Sequence, residues 1–244
     1  MHLHVGCSGW FYSHWRGIFY PKQEVTTKNW FAYYANVFGT VELNAPFYHW
    51  PKPATVRRWK REAPPGFIYT VKANRKITHE KRMVGTKRLV ARYYEIAAIL
   101  GEKMGCFLWQ FPPSFKYTAA NLKAIVTQLD PAHRNAVEFR HKSWWQATVY
   151  RALAKRKIAF CAVSAPRMPD TVAPGQPVLY VRFSGVTRWY RHDYSPEELR
   201  AWADRIRASG AREAWIYFNN DRNAHAIKNA LVLRRMLRTG GEKS

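Results

Sequence analysis

Eight short runs rich in apolar and β-branched residues punctuate the chain: His2–Ser8, Thr40–Asn44, Phe67–Ala73, Cys106–Phe111, Ala136–His141, Ala159–Ser164, Val178–Gly185 and Ala214–Asn219. Between them, apolar positions recur at helical spacing over 27–38, 53–62, 84–100, 118–129, 144–157 and 196–209, and again over 223–238. Short apolar runs bounded by turn residues predict buried strands, and their alternation with helices predicts a parallel sheet. Eight such units in one chain predict an α/β fold, a (β/α)8 TIM-like barrel forming a single domain over 1–239, with 240–244 as a frayed tail. One link departs from the pattern. Residues 165–177 are rich in Pro and have no helical period, so a loop is expected there in place of a helix between strands six and seven. Ser195-Pro196-Glu197-Glu198 predicts a helix start, with a cap, Pro at the first helical position and acids in the first turn.

Charge changes the picture more than composition does. Lys and Arg total 40 against 16 Asp and Glu, a formal net charge of +24, so the expected partners are polyanions or phosphate-bearing molecules. A hydrophobic share of 47% excludes global disorder. Cys7, Cys106 and Cys161 are widely spaced within apolar runs, which fits reduced core thiols better than disulfides or a metal site. The opening MHLHVGCSGW has no basic segment followed by an apolar one, and no apolar run nears the roughly 18 residues of a membrane span. A cytoplasmic protein without a membrane partner is the expectation.

The strand phase selects candidate chemistry. If the β-branched positions face the helices, the opposite face carries Glu42 and Asn44, Lys72, Gln110, Glu138 and Arg140, Arg182, Tyr217 and Asn219, with Ser8 and Ser164 at the ends of strands one and six. These residues fall at strand C-termini, where barrel enzymes place their sites. Three cations, Lys72, Arg140 and Arg182, exceed the two carboxylates, which suits an anionic ligand, although a closed network of ion pairs filling the barrel would use the same residues. The segment KANRKITHEKRM leaves strand three with Arg75, Lys76, Lys81 and Arg82, and its His79 is a candidate general acid/base. Aromatic residues follow several strands: Trp10, Phe11, Tyr12 and Trp15; Phe47, Tyr48 and Trp50; Trp144 and Trp145; Trp189 and Tyr190. They serve either as stacking platforms for bases or sugars or as packing at the rim. No phosphate-binding, dinucleotide, zinc-protease or hydrolase-elbow motif is present in the sequence. A metal centre finds few ligands: at most Glu42, Glu138 and His141 would hold one ion, and His141 has the opposite phase to Glu138.

Several blocks resemble a known family. Gly9-Trp10-Phe11-Tyr12 with Trp15, Gly17 and Phe19-Tyr20-Pro21 looks like the opening motif of the DUF72 (YecE-like) family. Val41-Glu42-Leu43-Asn44 with Phe47-Tyr48, Ile77-Thr78-His79, Gln110-Phe111-Pro112-Pro113-Ser114-Phe115, and Val137-Glu138-Phe139-Arg140-His141 with Trp144 match its next blocks. Tyr180-Val181-Arg182 and Tyr217-Phe218-Asn219-Asn220, followed by Ala226 and Asn229-Ala230, complete the series in order along nearly the whole chain. The resemblance implies a TM1631-like TIM barrel. It brings no established reaction. Two positions depart from the family pattern: Ser184-Gly185 stands where His-Gly is frequent, and Ser164 where Asp is frequent.

These readings converge on a basic, aromatic-rimmed site for a phosphate-bearing ligand, with nucleic acid as the expected partner. As an enzyme it would be a phosphodiester hydrolase. Glu138 or Glu42 would activate water, directly or through one divalent ion, Lys72 and the arginines would hold phosphate oxygens, and His79 would protonate the leaving oxygen. Trp10, Asn44, Tyr48, Gln110, Arg140, His141, Arg182, Tyr217, Asn219 and Asn220 would contact the ligand. Two alternatives share these residues: a nucleic-acid-binding module without catalysis, and a glycosidase or sugar-phosphate enzyme working through Glu42 and Glu138.

Overall fold

A computed structural model describes residues 1–239; the expected tail 240–244 lies outside the described residues. Parallel strands alternate with helices. In order these are β1 (His2–Cys7), α1 (Trp30–Val37), β2 (Thr40–Leu43), α2 (Ala45–Tyr48), α3 (Pro53–Glu62), β3 (Ile68–Lys72), α4 (Lys87–Ala98), β4 (Met104–Gln110), α5 (Ala119–Gln128), β5 (Asn135–Glu138), α6 (Ala147–Lys155), β6 (Ile158–Phe160), β7 (Ala162–Ser164), β8 (Val178–Phe183), α7 (Pro196–Ala208), β9 (Glu213–Phe218) and α8 (His225–Thr239). The fold class is α/β, a TIM-like barrel. Residues 165–177 contain no helix, as their Pro content predicts. The sixth expected strand is two short ladders, β6 and β7, broken at Cys161. The fifth is shorter than its apolar run. Its ladder ends at Glu138, so Arg140 and His141 lie on the turn beyond the strand and owe their direction to that turn, not to strand phase.

The chain divides into two compact units, Met1–Val41 with Ala162 onward, and Glu42–Cys161. In the first, β1 lies between β9 and the start of β2, and β8 separates β9 from β7, all parallel. Position 6 requires glycine, because a Cβ there would lie 2.3 Å from the Thr40 carbonyl oxygen. Beside it the buried Tyr34 hydroxyl donates to Thr40 O at 2.9 Å and accepts from Cys7 N at 2.9 Å. Burial raises the Cys7 thiol pKa well above its usual range, so this thiol is an inert core group. At α7 the expected cap forms. Ser195 accepts from Glu198 N while Glu198 accepts from Ser195 N at 2.8 Å.

In the second unit β3, β4, β5 and β6 pair in parallel, with Gln110 opposite Glu138 and Lys72 opposite Leu108. Every β5 residue is buried on both faces, the pattern a covered parallel sheet imposes. Asn135 opens β5 as a hub. Its amide oxygen accepts from Trp109 Nε1 at 2.9 Å and from the Tyr94 hydroxyl at 2.7 Å, and its Nδ2 donates to Asp130 O and His133 O.

Candidate functional site

The C-termini of β3, β4 and β5 deliver Lys72, Gln110 and Glu138 to one region of the second unit. Lys72 is buried, and its ammonium lies over the Phe47 ring, 4.1 Å from the centroid, a cation–π contact that keeps part of its charge stabilised away from bulk water. Phe47 comes from α2, the single turn after β2, and its ring also meets His79 edge-on with centroids 4.9 Å apart. His79 sits in a turn of π-helix, Lys76–Glu80, a form of backbone that recurs at functional sites. Asn74 fixes where that turn begins. Its Nδ2 donates to Pro46 O at 2.7 Å and its Oδ1 accepts from Lys76 N at 3.0 Å, tying the α2 segment to the π-turn.

Both ring nitrogens of His79 are engaged. Gln110 Nε2 lies 3.3 Å from Nε2, and as an amide nitrogen it donates, so His79 Nε2 accepts. The proton then resides on Nδ1, which donates to Thr78 Oγ1 at 2.9 Å. The electrostatics agree with this tautomer. Burial of the ring, and then the charges of Lys72, Arg140 and Arg75, lower its pKa to about 4 against a smaller opposing effect of Glu138. His79 is therefore neutral at neutral pH. In the ligand-free protein it carries no acidic proton to give up at neutral pH, and a bound anion would raise its pKa toward a proton-donating role. It remains a directed hydrogen-bonding group.

Glu138 is fully buried and Arg140 nearly so. Arg140 Nε donates to Glu138 Oε1 at 2.9 Å, turning back from the residue pair after β5. Glu42 is fully buried on β2, and Asn44 is half-buried at the start of α2. His141 is drawn into local structure: its ring accepts from Ser143 N and meets Ser143 Oγ at 2.8 Å, capping the turn Lys142–Trp144. Among the described residues, no group of three or more His, Cys, Asp or Glu could hold a metal ion.

The first unit carries its own predicted residues. Arg182 is fully buried and reaches Ser8 Oγ at 3.5 Å. The Tyr217 hydroxyl shares a 2.7 Å hydrogen bond with Thr40 Oγ1. Asn219 is half-buried. Asn220 bonds Asn229 Oδ1 at 2.7 Å and His192 O at 2.8 Å, so its amide nitrogen holds the loop after β8 against α8. Trp10 packs its ring on Phe31 and accepts through its carbonyl from the Tyr20 hydroxyl.

The aromatic residues divide into two sets. Trp15 and Trp144 are core: the Trp144 ring stacks on Phe139 at 3.9 Å, and its Nε1 donates to Phe115 O. Phe11 and Tyr48 keep open faces. Residue types alone could not make that division. Phe47 and Asn74 are the site residues the strand phase missed. The sequence signal for Asn74 was its position two residues after a strand, where a short amide side chain caps a turn.

The family described as "Protein of unknown function DUF72" matches residues 4–244. UPF0759 protein YunF of Bacillus subtilis is 24% identical, covering 96% of this chain and 94% of that protein. UPF0759 protein YecE of Escherichia coli is 29% identical over 51% of this chain and 48% of that protein. The crystal structure of the DUF72 family protein TM1631 of Thermotoga maritima superposes with a TM-score of 0.86 at 29% identity, covering 98% of this chain and 100% of that one. The motifs, the fold and the length of the match agree, and the chain belongs to the DUF72 family.

Proposed function

We propose that the second unit binds a phosphate-bearing ligand, nucleic acid by class, at the C-termini of β3, β4 and β5. The observation that carries this is electrostatic. Burial first, and then Lys72, Arg140 and Arg75 against a smaller effect of Glu138, hold His79 neutral, so cationic side chains converge on a neutral, directed imidazole. An anionic oxygen entering among them gains charge-assisted hydrogen bonds. The net charge of +24 supplies the long-range attraction. In a hydrolytic version Lys72 and Arg140 would stabilise charge developing on the phosphate, and Glu138 would position or activate water. The contact of Glu138 with Arg140 supports the alternative of binding without chemistry, because that carboxylate oxygen already has a strong partner.

The test is binding of labelled DNA and RNA oligonucleotides across a salt series, for wild type and for Lys72→Gln. Affinity that falls steeply with salt and drops in Lys72→Gln supports the reading. Affinity that is flat with salt, or equal in the two proteins, refutes it. Hydrolysis with Mg²⁺ or Mn²⁺, lost in Glu138→Gln, supports the enzymatic version; equal turnover in the two removes the role of Glu138.

A further inference from the structure

Beside the cluster, a cleft of about 510 Å³ opens between the α2 segment and the π-turn. Tyr48, Trp50, Arg75, Lys76 and Arg92 line it, with Glu80 the acidic group. Glu80 pairs with Arg75 at 3.2 Å, so the balance of the lining stays positive. Tyr48 is 62% exposed, although its neighbour Phe47 is buried under Lys72. An aromatic side chain held at a cleft without being packed into the core offers an open π-face. Both rims are preformed, because Asn74 bonds Pro46 O on one side and Lys76 N on the other. The exposed Arg57, Arg58 and Arg61 of α3 and Lys87, Arg88 and Arg92 of α4 extend the basic surface of this unit.

The cleft and the cluster draw their residues from two shared short segments. In α2, Phe47 serves Lys72 and His79, and Tyr48 lines the cleft. In the π-turn, His79 bonds Gln110, and Lys76 and Glu80 line the cleft. A ligand that places one phosphate at Lys72 therefore has an aromatic plate and further cations beside it. A free phosphate would leave that plate unused. A duplex keeps its bases stacked inside and cannot lay one on Tyr48, whereas a single strand can, and base–aromatic stacking with backbone cations is how single strands are held.

We infer that this cleft takes an unpaired nucleotide of a single-stranded nucleic acid, with its base on Tyr48 and its phosphate on Lys76 and Arg92, next to the phosphate held at Lys72. The inference rests on the phosphate-binding reading of the cluster and names its substrate class.

The experiment uses fluorescence anisotropy with three probes of equal length, about 12 nucleotides, within the usual range of single-strand sites. They are a DNA single strand, a deoxyribose–phosphate strand without bases, and a duplex. Proteins are wild type, Tyr48→Ala, Tyr48→Phe and Lys72→Gln, with folding checked by circular dichroism. In wild type the single strand should bind roughly 5- to 150-fold tighter than the base-free strand. Tyr48→Ala should bring that ratio toward unity, and Tyr48→Phe should preserve it, because stacking needs the ring and not the hydroxyl. A wild-type ratio near one, a ratio unmoved by Tyr48→Ala, or tighter binding of the duplex overturns the inference. If in those cases the base-free strand still binds and loses affinity in Lys72→Gln, the phosphate site stands without the cleft. Failure of every probe to bind at low salt overturns both readings.

Discussion

Replacing Lys72 with Gln should raise the His79 pKa and give up part of what holds the imidazole neutral. His79 falls from an ordinary 6.5 to about 4, through burial first and then through Lys72, Arg140 and Arg75. At about 1.36 kcal/mol per unit, the full shift corresponds to about 3 kcal/mol between the two protonation states. The ring is only half-buried, and water screens it, so about 1–2 kcal/mol is the realistic effect. Lys72 is the largest charge effect after burial, and its removal should raise the pKa while leaving the burial effect in place. Imidazole ¹⁵N resonances followed against pH provide the readout, with His79 assigned by its loss in His79→Gln. A wild-type His79 titrating near 6.5, or a pKa unmoved in Lys72→Gln, would refute the electrostatic account of the site. The sign for stability follows from the same shift. Between about 4 and 6.5 the unfolded chain binds the proton that folded His79 refuses, so stability rises with pH across that window. The contribution is complete above about 6.5 and is lost on acidification toward 4. Binding of an anion beside His79 should raise its pKa, and by linkage anion affinity should increase as pH falls through that raised value.

Other consequences concern the scaffold around the site. Glu138→Gln should destabilise the protein by about 1–3 kcal/mol in urea denaturation, because it weakens a buried charge-assisted bond to Arg140; a loss under about 0.5 kcal/mol would mean the pair is not a structural tie. Asn135→Ala should cost more, about 2–5 kcal/mol, since it strands the buried Trp109 Nε1 and the Tyr94 hydroxyl together, and near-native stability would contradict the hub. Ser195→Ala should lower stability by about 1 kcal/mol, or a few degrees in Tm for a chain of this size, by opening the α7 capping box, and an unchanged Tm would show that the cap is dispensable.

How much of this was legible in the sequence varied with the range of the interaction. The capping box at Ser195 and Glu198 could be read from four residues because every partner is local. The loop at 165–177 followed from Pro content. The far end of β5 was misread, because Phe139 continues the apolar run while its ring packs on Trp144 and not in a ladder. His141 carried a plausible chemical label, yet the nearest use for its ring was the turn that follows it.

The sequence by itself determined the alternation of strands and helices, since strands covered on both faces must be apolar throughout and the helices between them must not. It also determined which residue types reach the strand C-termini, because a polar residue ending a buried apolar run has few other places to go. Tertiary structure decided what those residues are. Lys72 became a buried cation because Phe47, distant in sequence, lies beneath it. His79 became a neutral acceptor because burial and the nearby cations disfavour its charged form and Gln110 donates to its ring. Trp144 became core and Tyr48 an open plate, although both follow a strand. Desolvation and pairing between distant segments fix charge state and exposure, and both exist only once the chain has folded.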